Sequence, residues 1–233
     1  MLDDGTGGDV IAGDGLFSAT IPGQNGATMV AFSVSATDAA STSASAVFPV
    51  GAPVHECLVR FGEPAAANAF GTYRLWLTKK NVSAWSGRPN LSNEPIEGTL
   101  VYGNFRVIHG AGYRYAGSPY HQQFTSPTGN CHYVWKLPGD DLLLGTDSFN
   151  KVHAPGNGPF DDDTTQREQT VYWIGRQLGL PWLYRRYVNV YVNGSKRSKL
   201  MEDTQVGSGD FVSSYHPDDA DGGAGGEDGP GPV

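Results

Sequence analysis

Cysteine is nearly absent, with Cys57 and Cys131 the only two in 233 residues. Their spacing matches no zinc or redox motif. One disulfide in an oxidising compartment and two buried thiols both remain open, and the expectation leans to free thiols. Long apolar runs are missing too. No stretch reaches about 18 apolar residues, so no membrane-spanning helix is expected. The opening stretch, Met1 to Gly5, lacks a basic and then apolar pattern, so no signal peptide is visible. Basic residues are missing from both ends of the chain. Residues 1–59 hold six acids and no Lys or Arg, and residues 202–233 hold eight acids and no base. All 16 Lys and Arg fall in residues 60–201 against ten acids, a local balance of 16 − 10 = +6 inside a net charge of −8. Such a body suits an anionic ligand, a phosphate for example, but the excess is modest for its length. No basic stripe with interleaved aromatics is present, so no nucleic-acid partner is expected. His109, His121, His132 and His153 show no ligand spacing, and no Gly-x-Ser-x-Gly elbow occurs, which argues against a zinc centre and a hydrolase triad.

What is abundant is glycine (32) and proline (15), which favour many turns and short strands. Hydrophobic residues at 39% and aromatics at 11% are enough for a core. The length allows one large domain or two small ones.

Residues 1–61 read as part of a β-sandwich. Leu16–Ile21 and Met29–Ala36 have strand character, the second alternating Val30, Phe32 and Val34 with small or polar neighbours. Ala46–Phe48 and Cys57–Phe61 close the segment. About four strands are too few for a self-contained sandwich of about seven, so the chain is expected to begin inside a domain. Asp3, Asp4, Asp9 and Asp14 crowd the opening loop. They fit either a calcium site, chiefly at Asp9 and Asp14, or a Gly/Asp turn, and their spacing is not that of an EF-hand. Residues 62–69 read as a linker.

Phe70–Leu77 reads as a strand and Thr78–Glu97 as a loop or short helix. Gly98–Tyr102, Phe105–His109 and Ala111–Tyr115 read as strands of a meander, and His132–Leu137 as another. In that last strand His132, Val134 and Lys136 share one face, and Tyr133, Trp135 and Leu137 share the other. Trp76, Trp85, Trp135, Trp173 and Trp182 suit either a core or a sugar-binding platform. From Thr164 to Glu202 the pattern is helix, stop, strand, hairpin and strand. Thr165 and Glu168 fit a capping box, with Asp161, Asp162 and Asp163 just upstream where the helix dipole favours acids. Glu168, Val171, Gly175 and Leu178 fall on one face, expected to pack inward, and Gly179 with Pro181 ends the helix. Asn193-Gly194 signals a hairpin. Lys136 reads as an ordinary surface lysine, or as a phosphate-binding lysine paired with Glu168 in the manner of a kinase N-terminal lobe.

Several of these pieces occur together in a known order. Gly112 to Ser118 forms a strand–Arg–Gly–Ser segment. A strand carrying Lys136 follows, then Thr165–Glu168 opening a helix that ends Leu178-Gly-Leu-Pro181, then Tyr187–Gly194 leading to Met201–Asp203. In this the chain, from about Phe70 to Asp221, resembles the spore coat protein H (CotH) kinase family of atypical, secreted or surface-attached kinases. The segment Asp9–Phe17, with its strand ending near Ala36–Asp38, resembles the edge of immunoglobulin-like modules in large bacterial surface proteins. The CotH resemblance implies that Gly117 and Ser118 lie over nucleotide phosphates, Lys136 holds the α/β-phosphates, Glu168 orients Lys136, and Arg114 shapes the site. Glu202, within Met201–Asp203, would lie at the hinge near the adenine. It also implies ATP with Mg or Mn as cofactor, an unidentified protein substrate, a secreted or cell-surface location, and a place in a larger multidomain bacterial protein.

The departures are specific. Ser195–Lys199 stands where the family has an aromatic-rich strand. The family's catalytic and metal-binding aspartates lie well beyond the hinge, and here 31 residues follow Glu202. Asp221–Val233 has the composition of disorder. Asp218, Asp219 and Asp221 read as a metal site or, more simply, a solvated loop. No catalytic residue and no kinase metal site is therefore assigned, and the expectation is a truncated, catalytically incompetent family member. The alternative is a non-enzymatic adhesion or carbohydrate-binding module. The expected fold is α+β, in four parts. These are a partial immunoglobulin-like sandwich (1–61), a linker (62–69), an antiparallel, kinase N-lobe-like sheet with one main helix (70–217), and a disordered acidic tail (218–233).

Overall fold

Seven strands of the second part of the chain curl into a closed barrel, the first of them meeting the sixth. The computed structural model describes residues 1–40, 42–66, 68–89, 92, 94–115, 132–143, 149–153, 166–205, 211–212 and 215. The barrel strands are β5 (Gly71–Trp76), β6 (Ile96–Tyr102), β7 (Arg106–Tyr115), β8 (Tyr133–Lys136), β9 (Phe149–His153), β10 (Arg185–Val192) and β11 (Ser195–Gln205). Their order around the barrel is β10-β11-β9-β8-β7-β6-β5. All neighbours are antiparallel except β5 and β10, which pair in parallel and close the ring. The chain is thus α+β and mostly strand, and its main sheet is mixed and closed rather than an open antiparallel one.

The barrel is filled by alternate side chains, because successive residues of a strand point to opposite faces. Tyr73, Leu75, Leu100, Ile108, Tyr113, Tyr133, Trp135, Val188, Val190 and Met201 form this core. Tyr133, Trp135 and Leu137 point inward as the alternation predicts, while Lys136 is exposed. Trp135 packs edge-on to Tyr73 with ring centroids 4.4 Å apart.

Helix α1 (Lys79–Gly87) resolves the loop-or-helix question in its segment. Thr78 caps it, its hydroxyl accepting from the Asn81 amide at 3.1 Å, and its Trp85 is fully buried. The hairpin at Asn193 and Gly194 has positive φ at both residues, 48° and 81°, as a type I′ turn requires.

Helix α2 (Arg167–Gln177) corrects two expectations. Its N-cap is Gln166 and makes no side-chain cap bond. Thr165 and Asp161–Asp163 lie outside the described residues, and Glu168 is spent on Arg185 rather than on a cap. The inward face is also not the apolar one. Glu168 and Gln169 turn toward the barrel, while Val171, Ile174 and Leu178 are exposed and no residue of the helix is buried. The reason is the surface beneath it: β10 and β11 present Arg185 and Glu202, which demand polar partners. The C-terminus is as expected. Gly179 takes φ 72°, its amide reaches Arg176 O at 3.1 Å, and the Leu180 amide reaches Gly175 O at 3.0 Å, a Schellman closure.

The N-terminal segment forms two small ladders. Strands β1 (Met29–Phe32) and β4 (Cys57–Arg60) pair, as do β2 (Val34–Thr37) and β3 (Ser45–Phe48). Leu16–Ile21 is not a strand and contributes one bridge, Leu2 to Ser18. Strand β4 lies on the outer face of the barrel. Leu58 packs with Trp76 and Val101, and its amide donates to Thr99 Oγ1 at 3.3 Å. Glu63, in the linker stretch, joins the parts. It pairs with Arg60 at 2.7 Å and Arg74 at 3.4 Å, and accepts from Trp76 Nε1 at 3.0 Å. Cys57 is a buried free thiol, and burial raises its pKa. Cys131 lies outside the described residues. No helix of the described residues is long and apolar enough to cross a membrane.

Candidate functional site

Across strands β6, β7 and β8, the residues Glu97, Gly112 and Lys136 stand in one row. Gly112 has no side chain, and the Pro95 ring packs over it between the acid and the base. A Cβ at Gly112 would lie 2.6 Å from Pro95 Cβ, and 3.6 Å from Lys136 Cβ. This row is the floor of a cleft of about 650 Å³. One wall is Leu137 and Pro138, running on from β8. The other is Phe48, Pro49 and Val50, contributed by the N-terminal segment. The segment is held over the cleft by a hydrogen bond between His55 Nδ1 and Glu97 Oε2.

The polar groups of the cleft divide into spent and unspent. Glu97 is committed to His55, and Asp141 to Arg106. His109 Nδ1 sits 3.2 Å from Thr99 Oγ1, and its ring meets the edges of Phe32 and Phe48 at 5.8 and 6.2 Å. Burial pushes its pKa down, partly countered by Asp141, so His109 is a neutral wall of the cleft at neutral pH. Lys136 and Asp140, both exposed, form no ion pair among the described residues.

The other sequence-derived site residues are placed elsewhere. Glu168 pairs with Arg185, not with Lys136. Glu202 joins the same cluster, accepting from Arg185 Nη1 at 3.1 Å and from Gln169 Nε2 at 3.0 Å. The Arg185 guanidinium also lies 4.5 Å over the Tyr172 ring. Burial raises the Glu202 pKa and the nearby Glu168 charge adds to this, with Gln169 and Arg185 pulling the other way. Lys136 is opposite Phe149, and Glu202 is opposite His153. Four residues along a strand at about 3.3 Å each, and two inter-strand steps of about 4.8 Å, set the Lys136 and Glu202 backbones roughly 16 Å apart. Glu168 and Glu202 are brought together, and Lys136 is not brought to them. Arg114 is buried on β7, opposite Val134 and two residues from Gly112. Gly117 and Ser118 lie outside the described residues, as do Asp218, Asp219 and Asp221.

One constellation was missed by sequence reasoning. Arg186 Nε and Nη2 donate to Asp203 Oδ2 at 2.8 and 2.6 Å, and Tyr73 Oη donates to the same oxygen at 2.6 Å. The guanidinium lies over the rings of Tyr73, Tyr102 and Tyr184 at 5.7, 5.3 and 5.9 Å. Burial raises the Asp203 carboxyl, while Arg186 and Tyr73 act to lower it. Burial likewise works against the charge on Arg186, and Tyr73 and Asp203 outweigh it. Three donors on one oxygen favour the ion-paired form. The signal was available: Arg186 and Asp203 are register partners on the face that otherwise carries Val188 and Met201. A charge in the core phase of two adjacent strands marks a buried pair.

At the opening loop, Asp3, Asp9 and Asp14 have carboxylate oxygens within 4.8 Å of one another, an arrangement that could hold a hard cation. The turn reading has its own bonds. Asp3 accepts the amides of Gly13, Asp14 and Gly15 at 2.6, 3.2 and 3.0 Å, and Asp9 accepts Gly5 N at 2.7 Å. Of the tryptophans, Trp76, Trp85 and Trp135 are core, which removes the sugar platform built on them.

Comparison with models of known protein families finds no match, and comparison with characterised proteins finds none.

Proposed function

We propose that this chain is a non-enzymatic ligand-binding module, with the cleft over Gly112 as its site and a cell-surface or secreted protein as its setting. The CotH-like features then express a shared strand–helix plan without phosphoryl transfer. The observation that carries this reading is the Lys136 amine, which has no ion-pair partner among the described residues, in a cleft of about 650 Å³ and remote from the helix acid it would need. Kinase chemistry rests on a lysine–glutamate pair and on metal-held phosphates. Here Glu168 is spent on Arg185. The cleft itself is formally negative. With the histidines counted as neutral, Glu97, Asp140 and Asp141 give −3 and Lys136 gives +1, a sum of −2, which Arg106 on Asp141 reduces to −1. A polyphosphate carrying several negative charges is poorly matched to that lining.

A second reading keeps the kinase ancestry and has one observation in its favour. Glu168, borne on a helix, grips a cation on a strand beside Glu202, and Arg185 would take the role of the kinase lysine. Thermal unfolding with ATP and magnesium or manganese separates the two. A ligand that binds only the folded state stabilises it by about 2.7 kcal/mol at a hundredfold excess over its Kd. The binding-module reading expects no shift with ATP. A clear shift that disappears in Lys136→Ala or Arg185→Ala would restore the nucleotide site.

A further inference from the structure

The cleft holds two opposite charges that do not satisfy each other. Lys136 stands at the end of β8, and Asp140 follows it by four residues, within the Pro138–Asp141 turn closed by the Asp141 amide on Pro138 O at 3.0 Å. The remaining charged groups of the cleft are committed elsewhere, as described above. The cleft also carries apolar surface: Pro138 on one side, and Phe48 to Val50 on the other. A ligand that fills this cleft meets, at once, a cation and an anion that have no ion-pair partner among the described residues, and an apolar body. A simple anion satisfies Lys136 and is opposed by Asp140. A simple amine does the reverse. Only a molecule carrying both signs on an apolar frame uses all three features.

We infer that the cleft takes a small zwitterion with an apolar body, a free amino acid or short peptide bearing an aromatic or large aliphatic side chain. Its carboxylate meets Lys136, its ammonium meets Asp140, and its side chain enters against Phe48 and the His109 ring. This rests on the cleft being the ligand site, and it names the ligand class for that site. The N-terminal segment becomes part of the binding surface, because Phe48, Pro49 and Val50 are its residues. Gly112 shapes the floor, because Pro95 packs where its side chain would stand.

The test is an NMR titration of the full chain, following the backbone amides of Gly110 and Gly112. Four probes are compared: glycyl-phenylalanine, its N-acetylated form, its C-terminal amide, and ATP with magnesium. The zwitterion should bind about three- to fivefold tighter than either capped form, the range available to solvent-exposed ion pairs. Lys136→Gln should erase the preference over the amide, and Asp140→Asn the preference over the acetylated form. Both side chains are on the surface, so the variants keep the fold, checked by unchanged Trp fluorescence. Equal binding of all three peptides, or tighter binding of ATP, would overturn the zwitterion inference and leave the cleft as a ligand site. No perturbation of either glycine by any probe would overturn the cleft reading as well.

Discussion

Gly112 shows how one residue decides whether a site exists. Its neighbours in the row carry opposite charges, and only a missing side chain leaves room for the Pro95 ring that lines the cleft over it. Gly112→Val places Cβ within 2.6 Å of Pro95. Overpacking of this kind costs typically about 1–3 kcal/mol. The variant should therefore unfold earlier in urea and lose binding of any cleft ligand, whereas Asp140→Asn should change binding without changing stability. Glu202 shows a different single-residue effect. Its pKa lies above the usual 4.5, chiefly through burial. A raised acid binds its proton more tightly in the folded state, so the native chain holds more protons than the unfolded one across that window. Stability from this group is complete below pH 4.5 and is lost as pH rises through its folded value. Glu202→Gln should flatten the fall in unfolding free energy between pH 4.5 and neutrality. An unchanged pH profile in urea titrations would show that Glu202 is not the group responsible.

At the scale of elements, α2 reverses the usual logic of an amphipathic helix. Its period is helical, and the periodicity gives the expectation that Val171 and Leu178 face the core. The barrel face it meets carries Arg185 and Glu202, so the helix docks through Glu168, Gln169 and Tyr172. Periodicity detects a face, and the partner surface decides which face is used. Ile174 is 45% exposed, so Ile174→Lys should alter stability by no more than about 0.5 kcal/mol. A loss of several times that in thermal unfolding would mean the apolar stripe is covered in solution. Strand β8 was read correctly because its alternation matched what it packs on. The capping box on α2 was misread because its acid had a stronger partner across the barrel surface.

For the whole molecule, the N-terminal segment and the barrel behave as joined parts. Leu58 packs on Trp76 and Val101, and Glu63 holds Arg60, Arg74 and the Trp76 indole together. Calorimetry should show one cooperative transition for both parts; two separated transitions would mean that residues 1–61 fold alone. Glu63→Gln leaves two largely buried arginines short of a counter-charge, a loss of about 3 kcal/mol, and should lower the Tm of that single transition.

The amino-acid sequence by itself determined much of the local structure. Strand alternation set which residues of β8 and β10 face inward. Gly179 and the Asn193-Gly194 pair stop the helix and turn the hairpin, because they tolerate positive φ. The composition excluded a spanning helix and pointed to short strands and many turns. The tertiary structure alone decided what is non-local. The parallel pairing of β5 with β10 joins residues more than a hundred positions apart, and no local pattern encodes it. The separation of Lys136 from Glu168 follows from strand order, since two inter-strand steps and four residues separate Lys136 from Glu202. The Glu97–Gly112–Lys136 row exists only because three strands fall into register, and the Arg186–Asp203 pair is buried only because the barrel closes around it.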